Sequence, residues 1–204
     1  APLLLSLLAL IARQRRLHGG RGLHGLHRGA PHSGHAAAAA PCRGGCAGGG
    51  NVYMTLPVTW DSQKQNEVAF ELKVSGLQGG HSGEDINKFR TNANKLLARI
   101  LDGIQRDIPI QLSALKGGTA RNAIPRDAEA VFVCAPDKKE SCKEIFAVLQ
   151  ATIQNELAKT ETGLVLSLNE IKSESIRVIS QAETQAAIRL LMALPNGVSS
   201  MFAD

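Results

Sequence analysis

Between residues 67 and 172 the spacing of apolar residues switches repeatedly between two periods, and that order restricts the fold more than any other feature of the chain. In EVAFELKVSG (67–76), Val68, Phe70, Leu72 and Val74 fall at every second position, which predicts a strand with one buried face. Ile86, Phe89, Ala93, Leu96, Leu97 and Ile100 then recur at helical intervals. They predict a helix from about Glu84 to Leu101, with Ser82 and Asp85 at capping-box spacing and Gly103 as its stop. DIPIQLSALKGG (107–118) and AEAVFVCA (128–135) read as strands, 138–159 as an amphipathic helix, and TGLVLSLNEIK (162–172) as a fourth strand. In the order β-α-β-β-α-β, two helices can cover one face of a four-stranded antiparallel sheet. The expected class is therefore α+β with a ferredoxin-like arrangement.

On either side the pattern changes. VYMTLPVTW (52–60) alternates like a strand, with Pro57 confining it to an edge, so 51–66 reads as a linker strand. QAETQAAIRLLMAL (181–194) is a further helix, cut off by the turn Pro195-Asn196-Gly197, and 173–204 leads out of the unit. The expectation is a piece of a larger protein, truncated within that return segment.

Residues 1–50 differ in kind. They hold six of the 23 basic residues, all arginine, and none of the 18 acidic ones. Residues 51–204 thus carry 17 basic against 18 acidic side chains, so the formal net charge of +5 belongs to the arm. A near-neutral body with one Tyr and one Trp gives no case for a nucleic-acid partner. The apolar run Leu3–Ala12 is too short to span a bilayer, and its arginines follow it, the wrong polarity for a secretory signal. No membrane partner is expected; an organelle transit peptide is one alternative. Residues 1–50, of which 21–50 are mostly Gly, Ala, His and Arg with almost nothing to bury, read as low-complexity and disordered, or as a misread frame. His32, His35, Cys42 and Cys46 are ligand types for a small zinc site, but C-x3-C among glycines supplies no rigid frame. Cys134 reads as strand core and Cys142 as a first helical turn, which is no disulfide framework, and points to a reducing compartment.

Two loops hold residues suited to chemistry. GLQGGHSG (76–83) surrounds His81 with glycines that permit positive φ and close approach of a ligand to the backbone. A helix starting at Glu84 would aim its free N–H groups at this loop, and the imidazole could donate to a carboxylate or developing oxyanion. The plainer alternative is a histidine that only caps its own turn. KGGTARNAIPR (116–126) is far longer than a hairpin needs; Arg121 offers a planar fork and Asn122 both a donor and an acceptor. The plainer alternative there is a solvated loop.

Taken together, GLQGGHSGEDI…NANKLLARIL and LKGGTARNAIPRDAEAVF resemble the aminoacyl-histidine (Xaa-His, or cytosolic non-specific) dipeptidases, within the two-zinc peptidases; LMALPNGV (191–198) fits the segment after their lid. The resemblance covers about residues 46–204. It implies a lid or dimerisation domain (67–172) inserted into a catalytic domain, a homodimer, a cytoplasmic location and small peptide substrates. By the same resemblance His81 matches a catalytic lid histidine reaching toward the substrate, Asn122 a lid asparagine that binds substrate, and Arg121 a neighbouring contact. Two Zn²⁺ would activate the attacking water, and none would be held by the lid itself.

The sequence departs from that family where the metals should be. Its first acidic residue is Asp61, and the five histidines of residues 1–50 lack a His-x-Asp pattern. Without a metal, water keeps a pKa of about 15.7 instead of ~7, so lid donors would have no nucleophile to assist. The chain alone is expected to be inactive as a peptidase. Two other classes remain open: a non-catalytic ferredoxin-like dimerisation or binding module, and an adaptor whose basic arm touches an anionic surface.

Overall fold

The computed structural model of the chain describes residues 3–5, 11–13, 54–63, 66–172 and 176–200. Two short strands, β1 (Leu3–Leu5) and β2 (Ile11–Arg13), lie far upstream of β3 (Met54–Leu56) and β4 (Trp60–Ser62). The main unit follows: β5 (Val68–Ser75), the two-residue β6 (Gly80–His81), α1 (Ala93–Gln105), β7 (Ile110–Gly117), the two-residue β8 (Ala123–Ile124), β9 (Ala128–Cys134), α2 (Lys139–Leu157) and β10 (Val165–Ile171). β11 (Arg177–Ile179), α3 (Gln181–Ala193) and β12 (Gly197–Ser200) close the described chain.

The four long strands form one antiparallel sheet in the order β10-β5-β9-β7. This is the ferredoxin-like arrangement expected from the order of periods. Register follows from burial, because a slip of one residue would turn every apolar side chain outward. Phe70 stands opposite Phe132 with ring centroids 5.8 Å apart, and Leu72 lies between Ala130 and Leu168. Leu97, Ile100, Leu101 and Ile104 of α1 and Phe146 and Ile153 of α2 bury themselves in the same core as Phe70, Leu72 and Phe132. Gly103 does not stop α1. It lies within the helix, where a Cβ would stand 2.8 Å from Leu149 Cδ1, so its role is the close approach of α2.

The predicted start of α1 also fails. Residues 84–92 hold only a single 3-10 turn, Ile86–Lys88, closed by Phe89 in the left-handed region at φ 53°. The helix begins instead at Ala93, where the Asn92 side chain accepts from the N–H groups of Asn94 and Lys95. The apolar spacing of Ile86 and Phe89 was misleading, since Phe89 is 84% exposed.

The two edges of the sheet are treated differently. At β7 the Leu112 N–H donates to Thr184 Oγ1 of α3 at 2.9 Å, and the Gln111 side chain donates to the Ile179 carbonyl, so α3 and β11 cover that edge. Among the described residues no strand pairs with the outer edge of β10.

The flanks are small pairs. β1 pairs antiparallel with β3, β12 parallel with β2, and β11 antiparallel with β4. β1 and β2 fall at the apolar run Leu3–Ala12 and its border, not in the glycine-rich stretch. Residues 21–50, with His32, His35, Cys42 and Cys46, lie outside the described residues. Cys134 and Cys142 are buried free thiols; hydrogen bonding to Cys134 and burial push the Cys142 thiol up, which keeps it protonated. Among the described residues no helix is long and apolar enough to cross a membrane.

Candidate functional site

The two glycine loops meet. β6 and β8 pair antiparallel, with Gly80 opposite Ile124 and His81 opposite Ala123. One step further the Ser82 N–H donates to the Asn122 carbonyl at 2.9 Å. His81 and Asn122, 41 positions apart in the chain, thus belong to adjoining backbone segments. His81, Arg121 and Asn122 are all exposed, Arg121 and Asn122 on the turn that leads into β8. Beside them a cleft of about 350 Å³ is lined by Gln78, Gly80, Gly118, Thr119, Pro125 and Arg126, a volume within the range of small-ligand pockets.

His81 both caps its turn and faces outward, so the two readings of it are compatible. Its Nδ1 accepts from the N–H groups of Gly83 and Glu84, each at 3.1 Å. With Nδ1 acting as acceptor, the neutral ring carries its proton on Nε2, which leaves Nε2 as the donor. An exposed, oriented N–H of this kind can meet a carboxylate or an oxyanion.

The loop is held by Asp85, expected at capping-box spacing, and by Arg90 and Lys88, which the sequence does not single out. Asp85 Oδ2 accepts from the His81 backbone N–H at 2.8 Å, and Arg90 donates both to Asp85 and to the Gly79 carbonyl. Lys88 pairs with the other Asp85 oxygen at 2.7 Å. Hydrogen bonds from Lys88 and from the His81 N–H, with Arg90 nearby, hold the Asp85 carboxyl below the usual carboxylate range. Asp85 therefore shapes the loop and does not cap α1.

The glycines answer to these neighbours. A Cβ on Gly80, at φ 145°, would stand 2.1 Å from Arg90 Nη1 and 2.5 Å from Asp85 Oδ2. On Gly79, at φ 61°, it would stand 2.2 Å from Arg126 Cγ. The close approach that these residues permit is made by the protein's own arginines, where the sequence reading had expected a ligand. The helix N-terminus also serves a different partner, because Asn92 caps it and the Ala93 N–H donates to the Pro125 carbonyl.

Asn92 and Lys95 tie the site's base to the return segment. Asn92 Nδ2 donates to Asn196 Oδ1 at 2.8 Å, and Lys95 Nζ donates to the carbonyls of Leu191, Met192 and Leu194 at the end of α3. Burial lowers the Lys95 pKa below the ordinary lysine value. Among the described residues no group of three or more His, Cys, Asp or Glu converges as a metal site would require, so this part of the chain does not fit a resident zinc pair.

Residues 66–161 match the family described as the peptidase dimerisation domain. Over 154 residues the chain is 39% identical to the cytosol non-specific dipeptidase of Escherichia coli (strain K12), a match covering 76% of this chain and 32% of that protein. The crystal structure of aminoacylhistidine dipeptidase from Vibrio alginolyticus superposes with a TM-score of 0.68 at 35% identity, over 72% of this chain and 30% of that one. The matched segment thus amounts to about a third of each relative's length.

Proposed function

We propose, for a chain whose residues 66–161 match the peptidase dimerisation domain, that it forms the lid and dimerisation part of a metal-dependent dipeptidase acting on small unblocked peptides such as Xaa-His dipeptides. In this reading residues 51–66 lead in from a catalytic domain, 67–172 are the lid, and 173–204 lead back. His81 donates from Nε2 to the substrate carboxylate or the oxyanion formed on its carbonyl, and Asn122, with Arg121 beside it, binds the peptide. A metal pair would supply the activated water; the described residues do not fit it, and the chain's own contribution is to bind and orient.

The observation that carries this reading is the joining of the two loops by the β6–β8 pairing and the Ser82–Asn122 bond. It is tested by titrating the labelled chain with Ala-His and following amide and ring resonances. Shifts centred on His81 and Asn122, weakened in His81→Ala, are expected. Shifts confined to other surfaces would sink the assignment. Hydrolysis of Ala-His by this chain with added Zn²⁺ would show that the contribution is not limited to the lid.

A second reading, a dimerisation module without catalytic part, draws on the open edge of β10, with Val165 55% exposed, and on Val148 of α2, 68% exposed. A clean monomer in sedimentation at high concentration counts against it.

A further inference from the structure

Glu161 takes no part in the contacts proposed above, yet it is a carboxylic acid only 2% exposed. Its Oε2 accepts from the Gln78 backbone N–H at 2.8 Å, and its Oε1 from the Thr91 N–H at 2.8 Å. Residues 78 and 91 are the two ends of the loop that carries His81. Glu161 reaches them from the turn after α2, 83 and 70 positions away in sequence. That turn is itself fixed: the Glu161 N–H donates to the Leu157 carbonyl, the Leu164 N–H to the Glu161 carbonyl, and the Gln78 side-chain amide to the Thr160 carbonyl.

Both donors lie outside strand and helix, so neither is satisfied by a ladder or a helical turn. A buried carboxylate is costly unless it is hydrogen-bonded. Here the buried Glu161 accepts from the N–H groups of exposed Gln78 and half-buried Thr91, one at each end of the loop. Asp85 and Arg90 act within the loop and set its shape, whereas Glu161 sets where the loop is attached to the domain.

We propose that Glu161 is a positioning residue for His81, clamping both ends of the 78–91 loop so that the imidazole keeps its place above the adjoining Asn122 turn. The proposal rests on the role given to His81 above. It adds a requirement on a residue that touches no substrate and lies in a different part of the chain.

The test uses the full chain, isotopically labelled, as wild type, Glu161→Ala, Glu161→Gln and a core control, Ile153→Val. Two signals are read: amide exchange at Ser82, Gly83 and Glu84, and the ring nitrogen resonances of His81 at a pH where the ring is neutral. With Glu161→Ala, exchange at these three amides is expected to rise about tenfold or more, and Nδ1 to move away from its acceptor position toward a tautomer average. Glu161→Gln keeps one acceptor oxygen and is expected to fall between. Ile153→Val is expected to lower the melting temperature while leaving the ring signal unchanged. The proposal is overturned if the Glu161 variants keep wild-type loop exchange and ring signals, or if exchange rises equally in β5 and β9. Should Glu161→Ala not fold, Glu161→Gln alone decides by the same criteria. No substrate enters these signals, so failure of Ala-His to shift His81 resonances counts against the substrate reading and leaves the clamp standing.

Discussion

The sheet core and the His81 loop are built on opposite principles. In the core, Phe70, Leu72, Phe132 and the apolar face of α1 hold one another through contact area, and their backbone groups pair strand to strand. In the loop charged side chains do the holding: Asp85 accepts from the His81 N–H, Arg90 donates to the Gly79 carbonyl, and Glu161 accepts from two backbone N–H groups. A glycine-rich segment can therefore be held by side chains in place of a strand ladder, where its glycines make room for the side chains that grip it. What differs is the kind of damage that each region tolerates: the core loses stability in proportion to removed area, whereas the loop can lose its shape with the fold intact.

The largest expected effect sharpens that contrast from the core side. Phe70→Ala removes a fully buried ring from between two strands and should cost about 3–5 kcal/mol, read by denaturant unfolding of the whole domain. Gly80→Ala should cost less globally, about 1–3 kcal/mol, because the strain of a positive φ and the collision with Arg90 and Asp85 are local. Its signature is loss of exchange protection at Gly83 and Glu84 while β5 and β9 stay protected; equal loss in both regions would break the comparison. Phe89→Gly should instead stabilise, by about 1 kcal/mol, because a bulky side chain in the left-handed region is relieved and little burial is lost. A lower melting temperature for that variant would mean that the Phe89 ring makes a contact worth more than its strain.

The smallest effect is in pH. The folded Asp85 carboxyl lies below its unfolded value, so its contribution is complete above the ordinary aspartate range and is lost as pH falls through the lowered folded value. Protection at His81, whose N–H Asp85 accepts, should fade over that acid window before the core amides respond. Persistence of that protection in Asp85→Asn at neutral pH would show that the charge is not what holds the loop.

The same contrast explains what could be read in the sequence. Strand and helix order from Val68 to Ile171 was legible because alternation and helical spacing are consequences of burial, and burial governs those elements. The start of α1 was misplaced because Ile86 and Phe89 mimic the helical period while Asn92, the residue that caps, is one asparagine among polar neighbours. The meeting of the His81 and Asn122 segments was anticipated only through resemblance, since neither loop's composition says which other loop it will touch. Glu161 left no signal at all: in KTETG it looks like any solvated acid, and its burial depends on partners 70 and 83 residues away.

The unequal edges of the sheet carry a consequence for assembly. With β7 covered by α3, the four-stranded sheet has one edge, β10, that pairs with no strand among the described residues. Two copies meeting there by a two-fold rotation would each cover the other's open edge of that sheet, and pairing through it would stop at two. A domain with both rims bare could go on adding copies into a fibre.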